Sequence, residues 1–211
     1  MSNKFWGFLG IVIVLVGILI CAWLTIQGGF LNKLQHNTPI ISVPLSLIPP
    51  GTPAQGSSAS SYTVVGPPTL GAAFVNHVLA QAHSPAQGTG QALYDLSKQY
   101  GIDDAYALAF FQHESQFGTT GVARVTQSLG NIRCTPGYHC LDGFRAYGSW
   151  QAGYQDWYAL IRNLYVKQWH RRTVAAIIPL YAPSSDGNDP ASYITAVEQA
   201  VTTWRREASA S

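Results

Sequence analysis

From Phe5 to Ile26 the chain runs for 22 residues without a charged side chain. No other feature restricts its folding as strongly. About 20 apolar residues in a helix span the hydrocarbon core of a bilayer. Trp6 and Trp23 lie near the two ends, where interfacial aromatics sit. A cleaved leader is the competing reading. The run is longer than the roughly 7–15 residues of a leader's apolar core, and no clear A-x-A site follows. Cys21 would suit a lipoprotein, but Ile20 stands where a small residue would be needed. The expectation is an anchor over residues 1–30 that contacts the lipid bilayer through residues 5–26. Lys4 and Lys33 flank the run almost evenly, so the positive-inside rule barely orients it. The short N-terminal tail and the cysteine usage favour a single-pass protein of the cell membrane with its C-terminal part extracytoplasmic.

Residues 31–68 change character. From Thr38 to Pro68 the chain is rich in Pro, Ser and Gly, as in Ile48-Pro49-Pro50-Gly51-Thr52-Pro53 and Gly56-Ser57-Ser58. Such composition makes an extended, flexible extracellular linker. Stretched out it reaches up to about 100 Å, at roughly 3.3 Å per residue. That reach suits a target layer above the membrane.

Only 10% of the residues are charged and 47% are hydrophobic, against about 25% charged in an ordinary soluble protein. The remainder is supplied by Tyr, Trp, Gln, Asn, Ser and Thr, a surface chemistry that fits carbohydrate. A net charge of +2 is too small for a phosphate-binding footprint, so nucleic acid is not expected as a partner. Cys134 and Cys140 bracket the short segment Thr135-Pro136-Gly137-Tyr138-His139. A disulfide between them implies an oxidising compartment. Zinc is the alternative because His139 is adjacent, but a fourth ligand is missing. No metal and no organic cofactor are expected.

Beyond residue 69 the pattern is helical, and residues 69–208 are expected to form one domain. Leu70, Phe74, Val78 and Ala82 recur at helical spacing. Gln91 to Tyr100 predicts a second helix that stops at Gly101. Asp103 and Asp104 can cap a third, running to about Phe117 with Gly118 as its stop. Thr119 to Tyr147 reads as loop. Further helices are predicted over Trp150–Val166 and Thr173–Pro179, and a last one from Asp189-Pro190 to about Glu207. No alternating run is long enough for a sheet, so the fold class is mainly α.

The third helix ends in Phe110-Phe111-Gln112-His113-Glu114-Ser115-Gln116-Phe117-Gly118. A carboxylate at the end of an apolar helix, without a cationic neighbour, can keep its proton near neutral pH and donate it to a leaving oxygen. The spacing alone equally suits a glutamate at a solvent edge. Other chemistries fit poorly. Phe117 occupies the place of the second His in H-E-x-x-H, and Tyr147-Gly148-Ser149-Trp150-Gln151 is no nucleophile elbow.

Ala107 to Thr119 resembles the active-site helix and turn of the endo-β-N-acetylglucosaminidases of glycoside hydrolase family 73. Thr126-Gln127-Ser128-Leu129-Gly130-Asn131-Ile132 is similar to the family's following turn. Phe144-Arg145-Ala146-Tyr147-Gly148-Ser149-Trp150 resembles its F-R-x-Y-x-S segment, and Tyr181-Ala182-Pro183 with Tyr193 its Y-A-x…Y segment. The resemblance implies a lysozyme-like helical domain with a cleft between two lobes. It implies hydrolysis of the β-1,4 bond between N-acetylglucosamine and N-acetylmuramic acid, with peptidoglycan glycan strands as the partner. Glu114 matches the family's general acid, and Tyr181 a tyrosine lining the catalytic site. Ser115, Phe117, Thr126 and Asn131, on the turns beside the acid, and Tyr147, Trp150 and Tyr193 are the candidate substrate-binding residues. Phe144, Tyr147 and Trp150 also suit the core.

Glycosidases usually employ two acids. Asp142, Asp156 and Asp186 are the candidates for the second, with Asp142 the expected catalytic partner because some members carry an acid on a hairpin there. Asp156 is expected to face solvent, and Asp186 can be turn chemistry. Assistance by the substrate's N-acetyl group would remove the need for a second acid. A lytic transglycosylase on the same fold and a non-catalytic wall-binding module are the competing functions.

Overall fold

A computed structural model describes residues 62–210. The anchor expected over residues 5–26 and most of the linker lie outside the described residues. Among the described residues no helix is long and apolar enough to cross a membrane.

The described part is mainly helical. In chain order it comprises α1 (Ala72–Gln81), α2 (Gly90–Tyr100), α3 (Asp104–Ser115), a short α4 (Ala123–Thr126), β1 (Cys140–Leu141), β2 (Phe144–Arg145) and α5 (Trp150–Ala159). A π-helix, Leu160–Gln168, continues α5. Then come α6 (Val174–Tyr181), a 3-10 turn over Ser184–Asp186, and α7 (Pro190–Ala208).

Helix α3 is the centre. Every residue from Ala105 to Phe111 is buried, the pattern of a helix surrounded by its neighbours. A fully buried Phe or Leu there is worth roughly 1.5–3 kcal/mol in apolar burial. Its start is fixed by charge. Asp103 accepts from Ala105 N at 3.0 Å and from Arg205 Nη2 of α7 at 2.5 Å. Asp104 is buried and accepts from the backbone N–H groups of Thr69 (2.8 Å), Leu70 (3.0 Å) and Gly71 (3.2 Å). Burial and the adjacent Asp103 raise the Asp104 carboxyl to about 6. These bonds engage the backbone of Thr69–Gly71 in a non-helical bend, with Gly71 at φ 85°, so α1 starts at Ala72 rather than at Thr69.

The third helix also stops earlier than its apolar spacing suggests. Gln116 and Phe117 take φ of 47° and 58°, and Gly118 follows at 78°. Left-handed φ is uncommon for residues other than Gly. The turn is secured by Ser115, whose Oγ accepts from Gly118 N at 2.9 Å and donates to Leu129 O at 2.9 Å. Phe117 is only 4% exposed and packs towards Trp204 at 6.3 Å between ring centroids.

The region read as loop contains an antiparallel hairpin, with Leu141 paired to Phe144 and Cys140 to Arg145. Asp142 and Gly143 make its two-residue turn with φ of 50° and 82°, the Asp-Gly chemistry of a type I′ hairpin. Two-residue strands are too short to leave an alternating signature. Helix α6 runs past Pro179, because Ala182 N still donates to Ile178 O at 2.9 Å. Residues 62–68, which composition places in the linker, belong to the fold. Val64 is buried, donates to Arg172 O at 2.8 Å and accepts from Asp103 N at 3.0 Å.

Candidate active site

Glu114 lies in the last turn of α3, partly buried. One helical turn before it, Phe110 forms the hub of an aromatic wall. Its ring centroid is 5.4 Å from Trp157, 5.3 Å from Tyr181 and 5.5 Å from Tyr193. The Tyr193 hydroxyl, from the first turn of α7, donates to Glu114 Oε1 at 2.8 Å. His113 stacks on Tyr193, with ring centroids 3.6 Å apart. Burial drives Tyr193 well above its ordinary pKa, and the adjacent carboxylate adds to this. Tyr193 therefore stays a neutral donor.

Among the described residues no ion pair involves Glu114. Burial raises its carboxyl to about 7, and the Tyr193 bond offsets part of the rise. A carboxyl poised there is half protonated at neutral pH, the condition for a general acid. Tyr193 occupies Oε1, so Oε2 is the oxygen left to carry and donate the proton.

The backbone beneath the acid is held by Leu129–Asn131. Asn131 Nδ2 donates to the Glu114 carbonyl at 2.7 Å, from a residue whose own φ is 45°. The Tyr181 hydroxyl donates to Gly130 O. Burial and the Glu114 charge both raise the Tyr181 pKa well above its ordinary value. Gly130 admits no side chain, because a Cβ there would lie 2.5 Å from Trp157 Cδ1 and 3.0 Å from the Tyr181 hydroxyl. Ser115, Asn131, Tyr181 and Tyr193 thus converge on Glu114.

The remaining sequence candidates lie elsewhere. Trp150 packs over Gly118, where an added Cβ would sit 3.2 Å from its ring. Thr126 is buried and its carbonyl accepts from Tyr147 N at 2.8 Å. The Tyr147 hydroxyl donates to Asp156 Oδ2 at 2.5 Å. Phe117 is turned into the core. Asp142 is exposed at the tip of the hairpin.

Asp156 does not face solvent as its mid-helix position suggests. It accepts from Arg145 Nη1 at 2.8 Å, with the two side chains only 10% (Arg145) and 18% (Asp156) exposed. Arg145 lies over the Tyr138 ring at 3.6 Å and donates to Thr135 Oγ1 at 2.8 Å. Asp186 pairs with Arg133 at 2.9 Å. Cys134 and Cys140 form a disulfide with Cα atoms 5.8 Å apart. Among the described residues no group of three or more His, Cys, Asp or Glu could hold a metal ion.

Sequence reasoning missed Phe110, Trp157 and Gly130 as parts of the site. The available signal was helical spacing: Phe110 stands four residues before Glu114 and must share its face. Trp157 and Gly130 meet only through the fold. No family model matches the chain, and no curated protein matches it.

Proposed function

We propose that the protein is a membrane-anchored peptidoglycan hydrolase with a lysozyme-like catalytic domain that uses Glu114 as general acid. The observation that carries this reading is the carboxyl raised to about 7 in an aromatic corner, with one oxygen held by Tyr193. In the reaction Glu114 gives its proton to the bridging β-1,4 oxygen as the C1–O bond breaks. Positive charge builds on C1 and the ring oxygen, and water completes the hydrolysis. Tyr181 and Asn131 fix the acid and the turn beside it. The neutral, aromatic-rich composition and the four ordered family-like segments support glycan as the substrate.

A second reading is favoured by the fate of the other acids. Asp156 and Asp186 are tied to arginines, and Asp142 stands exposed on a hairpin tip. A one-acid reaction fits that arrangement. Cleavage of the other β-1,4 bond, at C1 of N-acetylmuramic acid, with that sugar's own 6-hydroxyl attacking C1 in place of water and the 4-oxygen of the next N-acetylglucosamine leaving with the Glu114 proton, would make the chain a lytic transglycosylase with an anhydro product. Nucleophilic assistance by the N-acetyl group would keep it a hydrolase.

Mass spectrometry of digested peptidoglycan tests both readings. Reducing N-acetylglucosamine ends are expected, and they should vanish with Glu114→Gln. Products lighter by one water, as anhydromuramic ends, would assign the transglycosylase. Wall binding without fragment release would leave a tether. A Glu114→Gln variant that digests at the wild-type rate would sink the general-acid assignment.

A further inference from the structure

The end of the π-helix carries a second surface that the glycosidase reading does not use. Lys167, Trp169, His170, Arg171 and Arg172 are consecutive or nearly so, and all are exposed. Trp169 is 42% exposed, and it leans edge-on against the buried Tyr165 at 5.1 Å. His170 turns the chain with φ of 56°. From Trp157 to Ser185 the sequence contains no Asp or Glu. The ion pairs among the described residues use Arg133, Arg145 and Arg205, never these cations. Elsewhere the chain is sparing with charge, so this concentration stands out.

Its position matters as much as its composition. The described chain begins at this corner. Tyr62 O accepts from Val174 N at 3.0 Å, and Val64 N donates to Arg172 O at 2.8 Å. The Thr63 hydroxyl donates to the same carbonyl at 3.1 Å, and Thr63 bridges Thr173. The segment arriving from the uncharged 5–26 run therefore joins the fold against the residues that carry the cations. Between Ile26 and Tyr62 lie about 35 residues, which at roughly 3.3 Å each reach no farther than about 120 Å.

We propose that Lys167, Trp169, Arg171 and Arg172 form a docking surface for the anionic headgroups of the bilayer that anchors the chain. Lysine and arginine near an acidic leaflet gain attraction from its surface potential. An exposed Trp suits the headgroup zone, where one end of the ring is apolar and the other wet. A soluble anionic polymer would use the cations, but it gives no role to Trp169 and no reason for the patch to sit where the tether enters. Docking would hold the domain against the membrane, and release would let it reach the extent of its spacer. The proposal takes only the membrane helix over 5–26 from the functional reading, not the chemistry at Glu114.

The test uses the full chain reconstituted into nanodiscs of phosphatidylcholine, alone or mixed with phosphatidylglycerol. Hydrogen exchange is followed in the peptide covering residues 162–173. Exchange there should slow by at least about fivefold in the anionic discs, the attraction expected of a single cation. The slowing should disappear in about 0.5 M NaCl, where the screening length falls to a few ångströms. It should also disappear in a Lys167→Gln, Arg171→Gln, Arg172→Gln variant whose α3 exchange is unchanged. Trp169→Ser should weaken it in part. If the triple variant does not fold, the lipid and salt comparisons on the wild-type chain still decide. Equal exchange in neutral and anionic discs overturns the proposal. So does slowing by soluble polyphosphate without slowing by anionic discs, which would assign an anionic polymer. A chain that co-purifies with neither disc removes the anchor, and the proposal with it, while peptidoglycan digestion is read separately.

Discussion

The corner around Glu114 and the Cys134–Cys140 hairpin are held by different means. At Glu114 the fixing contacts are buried and made through backbone groups. Ser115 bonds Leu129 and Gly118, Asn131 bonds the Glu114 carbonyl, and Tyr181 bonds the Gly130 carbonyl. Left-handed residues at Gln116, Phe117 and Asn131 show the chain bent to suit the site, as strained positions at functional sites often are. The hairpin instead has an exposed tip and is held mainly by side chains. Its supports are a disulfide, the Arg145–Asp156 pair and the Tyr138–Arg145 contact. The first arrangement fixes one carboxyl and partly shields it from water. The second fixes a loop and leaves its acid, Asp142, in water. Damage to the first region should therefore be read in the chemistry, and damage to the second mainly in stability.

The largest effect is expected at Glu114 itself. Glu114→Gln should lower turnover about 10²–10⁴-fold, the usual contribution of a general acid, while wall binding persists. The same change should stabilise the protein at alkaline pH. The folded pKa is about 7, above the ordinary 4.5. The favourable burial of the neutral acid is thus fully present below about 4.5 and lost as pH rises through 7. Thermal melts at pH 8 should put Glu114→Gln above wild type by about 1–2 kcal/mol, allowing for solvent screening. The difference should fade towards pH 4.

Gly130→Ala would push a methyl to 2.5 Å from Trp157 Cδ1. Overpacking of this kind costs about 1–3 kcal/mol, and the shifted turn should also reduce kcat by displacing Asn131. Urea denaturation and steady-state rates check the two parts. Arg145→Ala leaves Asp156 without its cation in a mostly buried position. A loss of about 1–3 kcal/mol is expected, the cost of leaving a buried acceptor unpaired, with kcat closer to wild type than in Gly130→Ala. Reversed rates for these two variants would break the contrast between the regions. Replacing both Cys134 and Cys140 by Ser opens a small loop and should cost about 2 kcal/mol, with the pH profile unmoved. The smallest effect is expected for Tyr193→Phe. Its hydroxyl lowers the Glu114 pKa, so its loss should move the alkaline limb of the rate profile upward. A downward shift would contradict the assigned bond.

Local chemistry made much of the fold legible. Helices α2, α3 and α7 carry their start and stop signals in sequence: Gly101 in a left-handed turn, Asp103 as a cap, and Asp189 ahead of Pro190. Long-range pairing was hidden. Nothing local marks Asp156 as the partner of Arg145, and mid-helix acids commonly point outward. The end of α3 was overrun because Phe117 continues the apolar spacing although its backbone has left the helix. The π-helix after α5 keeps an apolar face that a 3.6-residue period also fits over nine residues. At the site, Glu114 stood out only with the family-like segments around it. Its hold on Tyr193 crosses from α3 to α7, a contact that no local pattern reveals.

The central claim is that the Glu114 carboxyl keeps its proton up to about pH 7. Carbon-13 NMR of the labelled glutamate side-chain carboxyls measures this directly, since the chain has only Glu114, Glu198 and Glu207. The Glu114 signal is assigned by its absence in Glu114→Gln. Its titration midpoint is expected at about 7. A midpoint at or below the ordinary 4.5 would contradict the account.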